Sequence, residues 1–215
     1  MNESELYKQL LKKDLDLKRI KNKITKEPEL IPLLFTGFKS NKAILKYRCL
    51  KLVRLISEES PDLIYPYIKK LIGLLDSENN IMKWGAIIII SNLAAVDKDN
   101  VIEKNFNKYF NPIKGPVMIT AANVISSSSK IALAKPGLTD KISNEILKVE
   151  YAEYQTDECK NIAYGHAIKS FYVFFDKIKN KKPVVLFVKN QLNNSRDATK
   201  NKAEKFLNKY KIENY

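Results

Sequence analysis

Apolar residues recur along this chain every three or four positions, which is the spacing of amphipathic helices, and short breaks rich in Pro, Asn, Ser or Asp separate the helical stretches. No stretch alternates apolar and polar residues for long enough to predict a strand. The β-branched run KPVVLF at 182–187 also suits a helix, because Pro183 in a first turn removes an N–H that has no helical partner there. The pattern therefore predicts an all-α protein.

The helical stretches form pairs, and the pairs repeat. EPELIPLLFTGF at 27–38 and SPDLIYPYIKKLIGLLD at 60–76 are both first helices that open with proline. The second helices that follow them match at KYRCL (46–50) and KWGAI (83–87). Later pairs are weaker in sequence, but small residues recur in their second helices: Ala122, Ala167 and Ala203.

Boundaries follow from the breaks between pairs. A chain of 215 residues is long enough for one domain with a substantial core. We predict a single domain over 1–215, in which a basic amphipathic helix over 3–24 precedes five helix pairs. The predicted pairs are 27–59, 60–99, 100–135, 136–182 and 183–211. Thr156 is expected to cap the second helix of the fourth pair.

One helix pair cannot bury both of its apolar faces alone, so we expect the pairs to stack. The segment KWGAIIII at 83–90 is apolar nearly all round, as a helix covered on several sides must be. Gly85 and Ala86 should let a neighbouring helix approach closely. Trp84 and the isoleucines are expected to fill the remaining space.

These residues resemble a known family. With proline opening the first helix, LLDSENN (74–80) as the turn and KWGAI in the second helix, the chain resembles HEAT repeats of the armadillo-type superhelix. The resemblance is good over 27–100 and fair over 101–215. It implies a right-handed α-α superhelix of about five helix pairs, whose second helices line a concave face. Scaffolds, transport receptors and a few enzymes use such repeats, so the resemblance leaves function open.

The charge of the chain favours acidic partners. There are 38 Lys and Arg against 24 Asp and Glu, a net charge of +14. Nucleic acid, an anionic membrane surface or an acidic protein would suit this charge. An AT-rich genome, which enriches Lys, Asn and Ile, is the alternative explanation.

Several features predict the compartment. The N-terminus lacks the apolar core of a secretion signal, and the longest apolar run, 85–90, is too short to span a bilayer. Cys49 and Cys159 have no metal-type spacing, and buried free thiols are favoured over a disulfide. We expect a cytoplasmic protein with no membrane insertion.

Candidate catalytic residues are few. His166, the only histidine, has no carboxylate one turn away, and Ser170 is expected to hydrogen-bond its ring. Paired carboxylates at Glu58-Glu59 and Asp157-Glu158 lie at helix ends, where capping explains them. The serines at 126–129 have no base nearby in sequence. We predict no catalytic residue, no metal site, no cofactor and no small-molecule substrate.

One enzyme class of similar architecture is the HEAT-like alkylpurine DNA glycosylases, which the chain resembles in length and basic charge. In that class an aspartate one helical turn from a tryptophan is part of the active site. Ile88 occupies that position relative to Trp84, so the resemblance stops short of the activity.

A binding site is predicted on the second helices. Aligning the repeats places Lys46 and Lys83 at equivalent positions, and the same register gives Ile119, Tyr164 and Lys200. These side chains would form an interrupted cationic ridge with one aromatic ring. We expect a non-catalytic adaptor that binds a protein partner there. The alternatives are a nucleic-acid-binding protein that grips phosphates, and lysines that serve solubility alone.

Overall fold

A computed structural model describes residues 2–212, which divide between two compact units that meet in the chain at Lys104 and Asn105. Every regular element in the described residues is helical, so the all-α prediction is confirmed. The prediction of one continuous domain stays a prediction.

Unit 1, the residues up to Lys104, contains the predicted N-terminal segment and the first two helix pairs. Its α-helices are α1 (Glu3–Leu10), α2 (Leu17–Lys26), α3 (Ile31–Gly37), α4 (Ala43–Glu59), α5 (Pro61–Ile64), α6 (Ile68–Gly73), α7 (Asn80–Asn92) and α8 (Val101–Lys104). Short 3₁₀ helices occupy Pro28–Leu30, Tyr65–Tyr67, Leu74–Asp76 and Leu93–Ala95. The second helices α4 and α7 pack against each other, and α3 and α6 pack against α4 and α7 respectively.

Unit 2, from Asn105 onward, has the same kind of order. Its α-helices are α9 (Phe106–Phe110), α10 (Met118–Ala134), α11 (Thr139–Leu147), α12 (Asp157–Phe174), α13 (Lys182–Asn190) and α14 (Asp197–Lys209). Its 3₁₀ helices are Asn111–Lys114, Pro136–Leu138, Lys148–Tyr151, Phe175–Lys177 and Gln191–Asn193. The second helices pack in the order α10, α12, α14.

Prolines explain why the first helices are short and the second helices long. Pro28, Pro66, Pro112 and Pro136 all lie in 3₁₀ segments of first helices. A proline has no N–H to donate and its ring hinders the preceding turn, so an uninterrupted α-helix cannot run through it. The second helices have no proline within them, and α12 reaches 18 residues.

The predicted helix over 3–24 is instead two helices. Helix α1 ends at Leu10, and α2 begins only at Leu17, where the Asp16 side chain accepts a hydrogen bond from the Arg19 N–H at 3.0 Å. An aspartate at this position satisfies a free N–H and starts a new helix. Thr156 caps α12 in the same way, as predicted, accepting from the Cys159 N–H at 3.1 Å.

Each second helix buries side chains in one recurring pattern. In α4 the pattern is Leu45, Cys49, Leu50, Leu52, Val53, Ile56 and Ser57. Counterparts at every position are buried in α7 and its 3₁₀ extension (Met82, Ala86, Ile87, Ile89, Ile90, Leu93, Ala94), in α10 (Thr120, Val124, Ile125, Ser127, Ser128, Ile131, Ala132) and in α12 and its extension (Ala163, Ala167, Ile168, Ser170, Phe171, Phe174, Phe175). Helix α14 keeps the pattern at Thr199, Ala203, Phe206 and Leu207. The pattern defines which residues of the five helices are equivalent.

Gly85 lies where α7 meets α4. A Cβ atom placed on Gly85 would lie 2.6–2.8 Å from three carbon atoms of the Leu50 side chain. The expected close approach at this glycine is therefore confirmed. Ser57 and Asn92 join the same two helices further along, where the Asn92 amide donates to the Ser57 hydroxyl at 2.9 Å.

A buried aspartate fixes the end of unit 1. Asp97 is 4% exposed and accepts hydrogen bonds from the backbone N–H groups of Val101 (2.8 Å) and Ile102 (3.1 Å), which begin α8. The Tyr65 hydroxyl bridges Asp97 and Asp99 at 3.1 and 2.9 Å. Burial and these carboxylates raise the pKa of Tyr65 to about 12, so the phenol remains a donor.

The tight packing at Gly85 gives a first prediction. Gly85→Ala should lower the free energy of unfolding by about 1–3 kcal/mol, because the added methyl forces Leu50 out of its place. Gly73→Ala is the matched control, since Gly73 has helical backbone angles and open space around it. That control should leave stability unchanged or raise it by up to about 1 kcal/mol. Urea denaturation of both variants measures the difference, and equal effects would contradict the packing argument.

The two cysteines give a second prediction. Both are free thiols; Cys49 is fully buried, and its burial raises its pKa to about 12, whereas Cys159 is only partly buried, contrary to the expectation for that residue. A thiol reagent at mildly alkaline pH should label one cysteine in the native protein and two after denaturation. Cys159→Ser should abolish the native labelling. Fast native labelling of that variant would show that Cys49 is accessible.

Candidate functional site

The predicted binding residues occupy equivalent positions but different environments. Lys46 in α4 and Lys83 in α7 are half-buried, and Lys200 in α14 is exposed. Tyr164 in α12 is half-buried, and its ring packs edge-on against the buried Phe187 of α13 with 5.6 Å between ring centroids. The Tyr164 ring is thus partly engaged within the fold.

The register predicted for α10 differs from the structure by two residues. By the recurring burial pattern, the counterpart of Lys83 and Tyr164 is Ala121, which is fully buried, and not Ile119. The offset arises because the prediction aligned Ala86 with Ala122, whereas Val124 takes the place of Ala86 in the buried pattern. Within α10 the predicted ridge therefore has no side chain to contribute.

A group of five apolar or aromatic side chains on the second helices of unit 1 is exposed or half-buried. Ile44 and Ile81, at equivalent positions of α4 and α7, are 56% and 45% exposed. Tyr47 and Trp84 follow them by three residues and are half-buried, and Ile88 continues the strip on α7. Because α4 packs on α7, these five residues lie on the same side of the unit. We call them the apolar strip.

Unit 2 keeps isoleucine (Ile119 and Ile162) at the positions of Ile44 and Ile81, but it has polar and basic residues at the position of Ile88 and at the neighbouring position of Gly85. The counterparts of Ile88 are Ser126, Lys169 and Lys205, and those of Gly85 are Asn123, His166 and Lys202. Ser126, Lys169 and Lys205 are exposed, and the other three are half-buried. We call the group formed by Ser126, His166, Lys169 and Lys202 the basic cluster.

A hydrogen bond between two helices orders the cluster. The Ser126 hydroxyl oxygen of α10 lies 2.9 Å from Nδ1 of His166 in α12. The expectation that Ser170 would partner this ring is wrong: Ser170 points inward, is 3% exposed, and its hydroxyl has no hydrogen-bond partner among the described residues. Residue 170 lies one turn from residue 166, but it belongs to the buried face of α12.

The Lys202 side chain packs against Gly165. A Cβ atom on Gly165 would lie 2.9 Å from Nζ of Lys202 and 2.9 Å from Oγ1 of Thr199. The lysine of α14 therefore lies across the backbone of α12, one residue away from His166. Within residues 2–212 no carboxylate or carbonyl accepts a hydrogen bond from this ammonium group.

Positive charges dominate the surroundings of the cluster. Burial lowers the pKa of His166, and Lys202 and Lys169 lower it further. Burial also lowers the pKa of Lys202, together with the charges of Arg196 and Lys169. Arg196 is itself paired with Glu158, whose Oε1 lies 2.8 Å from Nε, although the angle is not that of a hydrogen bond. The cluster thus lacks a neutralising carboxylate.

The Ser126–His166 pair differs from a hydrolytic triad in the charges that surround the histidine. A catalytic histidine is normally oriented by a third group, most often a carboxylate. The charges that act on His166 come from lysines instead. Among the described residues no group of His, Cys, Asp and Glu is arranged to hold a metal ion.

Comparisons with known proteins add little about function. No protein-family model matches the chain. The chain is 28% identical over 105 residues to an uncharacterized protein of Methanocaldococcus jannaschii, a match that covers 49% of each protein. The chain thus matches about half the length of that relative. No described helix is both long enough and apolar enough to cross a bilayer.

Sequence reasoning missed the apolar strip and the basic cluster for different reasons. The predicted register aligned the isoleucines at 44 and 81 correctly, but apolar spacing alone does not separate an exposed isoleucine from a buried one. The contact between residues 126 and 166 joins helices 40 positions apart, and no local pattern indicates it. The burial pattern is the signal that finds both.

His166 should make stability depend on pH. Its pKa is lowered in the folded state from 6.5, so the unfolded chain binds more protons between the two pKa values. The free energy of unfolding should therefore fall as the pH decreases below about 6.5. His166→Gln should show a smaller fall between about pH 7.5 and 5.5 in urea denaturation. Lys202→Gln should also reduce it, and an unchanged fall in both variants would contradict the assignment.

Proposed function

We propose that this chain is a non-catalytic adaptor whose second helices bind an acidic protein partner. The observation that carries the proposal is the apolar strip of unit 1, where Ile44 and Ile81 are exposed at equivalent positions and Trp84 is half-buried beside them. Exposed isoleucine beside tryptophan and tyrosine is typical of protein-binding surfaces. The net charge of +14 favours an acidic partner.

We further propose that the helix pairs stack as HEAT-like repeats of a right-handed superhelix. The recurring burial pattern supports it, since each second helix buries equivalent positions against its neighbours. The packing order α10, α12, α14 within unit 2 supports it too. A superhelix of this kind would place the exposed strips of the second helices on its concave face, and a cytoplasmic location suits such an adaptor.

Nucleic acid is the second candidate partner. Residues 177–211 contain eleven Lys and Arg against two Asp and Glu, so the end of the chain is strongly basic. Lys46, Lys83 and Lys200 would then contact phosphates. This binding would lose affinity steeply with salt, because phosphate contacts release counterions.

The test compares variants of the strip in capture from an extract of the source cells. Ile81→Ser should reduce recovery of a specific captured protein about 10-fold, since the loss of one anchor costs roughly 1–3 kcal/mol. Leu186→Ser is the matched control, because Leu186 in α13 is 60% exposed and lies outside the strip. That control should leave the recovery unchanged.

Two outcomes would contradict the adaptor proposal. Equal recovery by both variants would show that the strip does not bind the captured protein. Tight binding to duplex DNA that falls steeply across a salt series, and that is lost on changing Lys46, Lys83 and Lys200 to Glu, would favour the nucleic-acid function instead.

A further inference from the structure

The basic cluster has the features of a binding site for an anion. Ser126 and His166 are held together by a hydrogen bond, and Lys202 is held across Gly165 beside them. Three helices contribute to it: Ser126 from α10, His166 and Lys169 from α12, and Lys202 from α14. The packing of α10 and α14 against α12 brings these side chains together.

The donors of the cluster are not used within the fold. Nε2 of His166 and the ammonium groups of Lys169 and Lys202 have no hydrogen-bond acceptor in the part of the chain that the structure describes. A hydroxyl of Ser126 that donates to Nδ1 leaves the ring proton on Nε2, and a charged ring carries a proton there in any case. The cluster can therefore present N–H donors from three side chains to one ligand.

We propose that Ser126, His166, Lys169 and Lys202 form a binding site for a phosphate group in its dianionic form, either free or as a monoester. Two lysines and a charged histidine supply up to three positive charges around one group. Dianionic phosphate offers several strong acceptor oxygens, and its negative charge would neutralise the charges of the two lysines and the histidine. The site lies outside the apolar strip and does not depend on the identity of a protein partner.

The charges around His166 determine how bound phosphate should change its pKa. Lys169 lies on its own helix, Lys202 on α14, and α10 presents Ser126 with Lys130 one turn further on. Of these charged groups, Lys169 and Lys202 lower the pKa of the ring, because both repel a proton on it. A bound dianion should reverse their effect and stabilise the charged imidazole.

The experiment uses the only histidine of the chain as its own reporter. The proton on Cε1 of His166 gives one imidazole signal in the NMR spectrum of the untagged protein, and its chemical shift against pH gives the pKa. Inorganic phosphate should raise the pKa of His166 by about 1 or more over sodium chloride at equal ionic strength. O-phosphoserine and serine form the second arm. A rise with phosphoserine shows that a monoester fits, and a rise with inorganic phosphate alone shows that the site takes the free ion.

Two lysine variants distinguish phosphate binding at the basic cluster from a general effect of the positive charge of the protein. Lys202→Gln should raise the pKa of His166 in chloride, because a repelling charge is lost, and should remove most of the further rise with phosphate. Lys177→Gln removes an exposed charge elsewhere in unit 2 and should leave both values as in the wild type. Circular dichroism of each variant checks that the helices are intact.

Three results would overturn the proposal: no rise in phosphate beyond that in chloride, an undiminished rise in Lys202→Gln, or an equal rise with a thymidine dinucleotide, whose phosphodiester carries a single negative charge. Because the experiment contains no partner protein, its result is independent of the capture test. A failure of the adaptor function would leave it unchanged.

Discussion

Side-by-side packing of second helices within each unit is the constraint from which most of the structure follows. Helix α12, which contacts its first helix α11 and the second helices α10 and α14, has only a narrow strip left for solvent. The same buried positions recur in α4 and α7 of unit 1 and in α10 and α12 of unit 2. Glu204 shows the rule at its limit: it is exposed in α14 where α12 buries Ile168, and no described helix follows α14 to cover it. Chemistry that varies from helix to helix is confined to the strip.

At the position of Ile88 the strip carries different chemistry in the two units. In unit 1 the strip is apolar and aromatic, and beside it Gly85 allows α7 to approach the Leu50 side chain of α4 closely. In unit 2 a glycine at a different position, Gly165, which corresponds to Trp84, has Lys202 lying across it and not a leucine. A missing Cβ thus permits helix contact in one unit and positions a cation in the other. The same backbone pattern supports an apolar surface and a charged one.

The sequence predicts those parts of the fold that depend on neighbouring residues. Proline at the start of first helices, the Thr156 cap and the close approach at Gly85 all follow from local chemistry, and the structure confirms the cap and the approach. The break before Asp16 was missed because apolar spacing continues through it, although an aspartate cap was available to end the pattern. The partner of His166 was missed for a deeper reason. Helical spacing predicts Ser170 as the partner, but Ser170 lies on the buried face of α12. Because α10 packs against α12, Ser126 forms the hydrogen bond with His166 instead.

Two cations of unit 2, Arg196 and Lys202, differ in whether a carboxylate lies beside them, and this difference bears on the role of the basic cluster. Arg196 has Glu158 beside it, whereas Lys202, whose pKa the charge of that same arginine lowers, has no carboxylate partner among the described residues. Crowded like charges in a partly buried place lower stability unless something neutralises them. Glu204 is only two residues from Lys202, but it lies on the flank that faces away from α12, as its equivalence to Ile168 requires. The helix packing that holds Lys202 over Gly165 therefore also keeps the nearest carboxylate of α14 away from it. An external anion that binds the folded cluster and not the unfolded chain would stabilise unit 2 to an extent set by its concentration relative to its dissociation constant, so binding and folding become linked through the basic cluster.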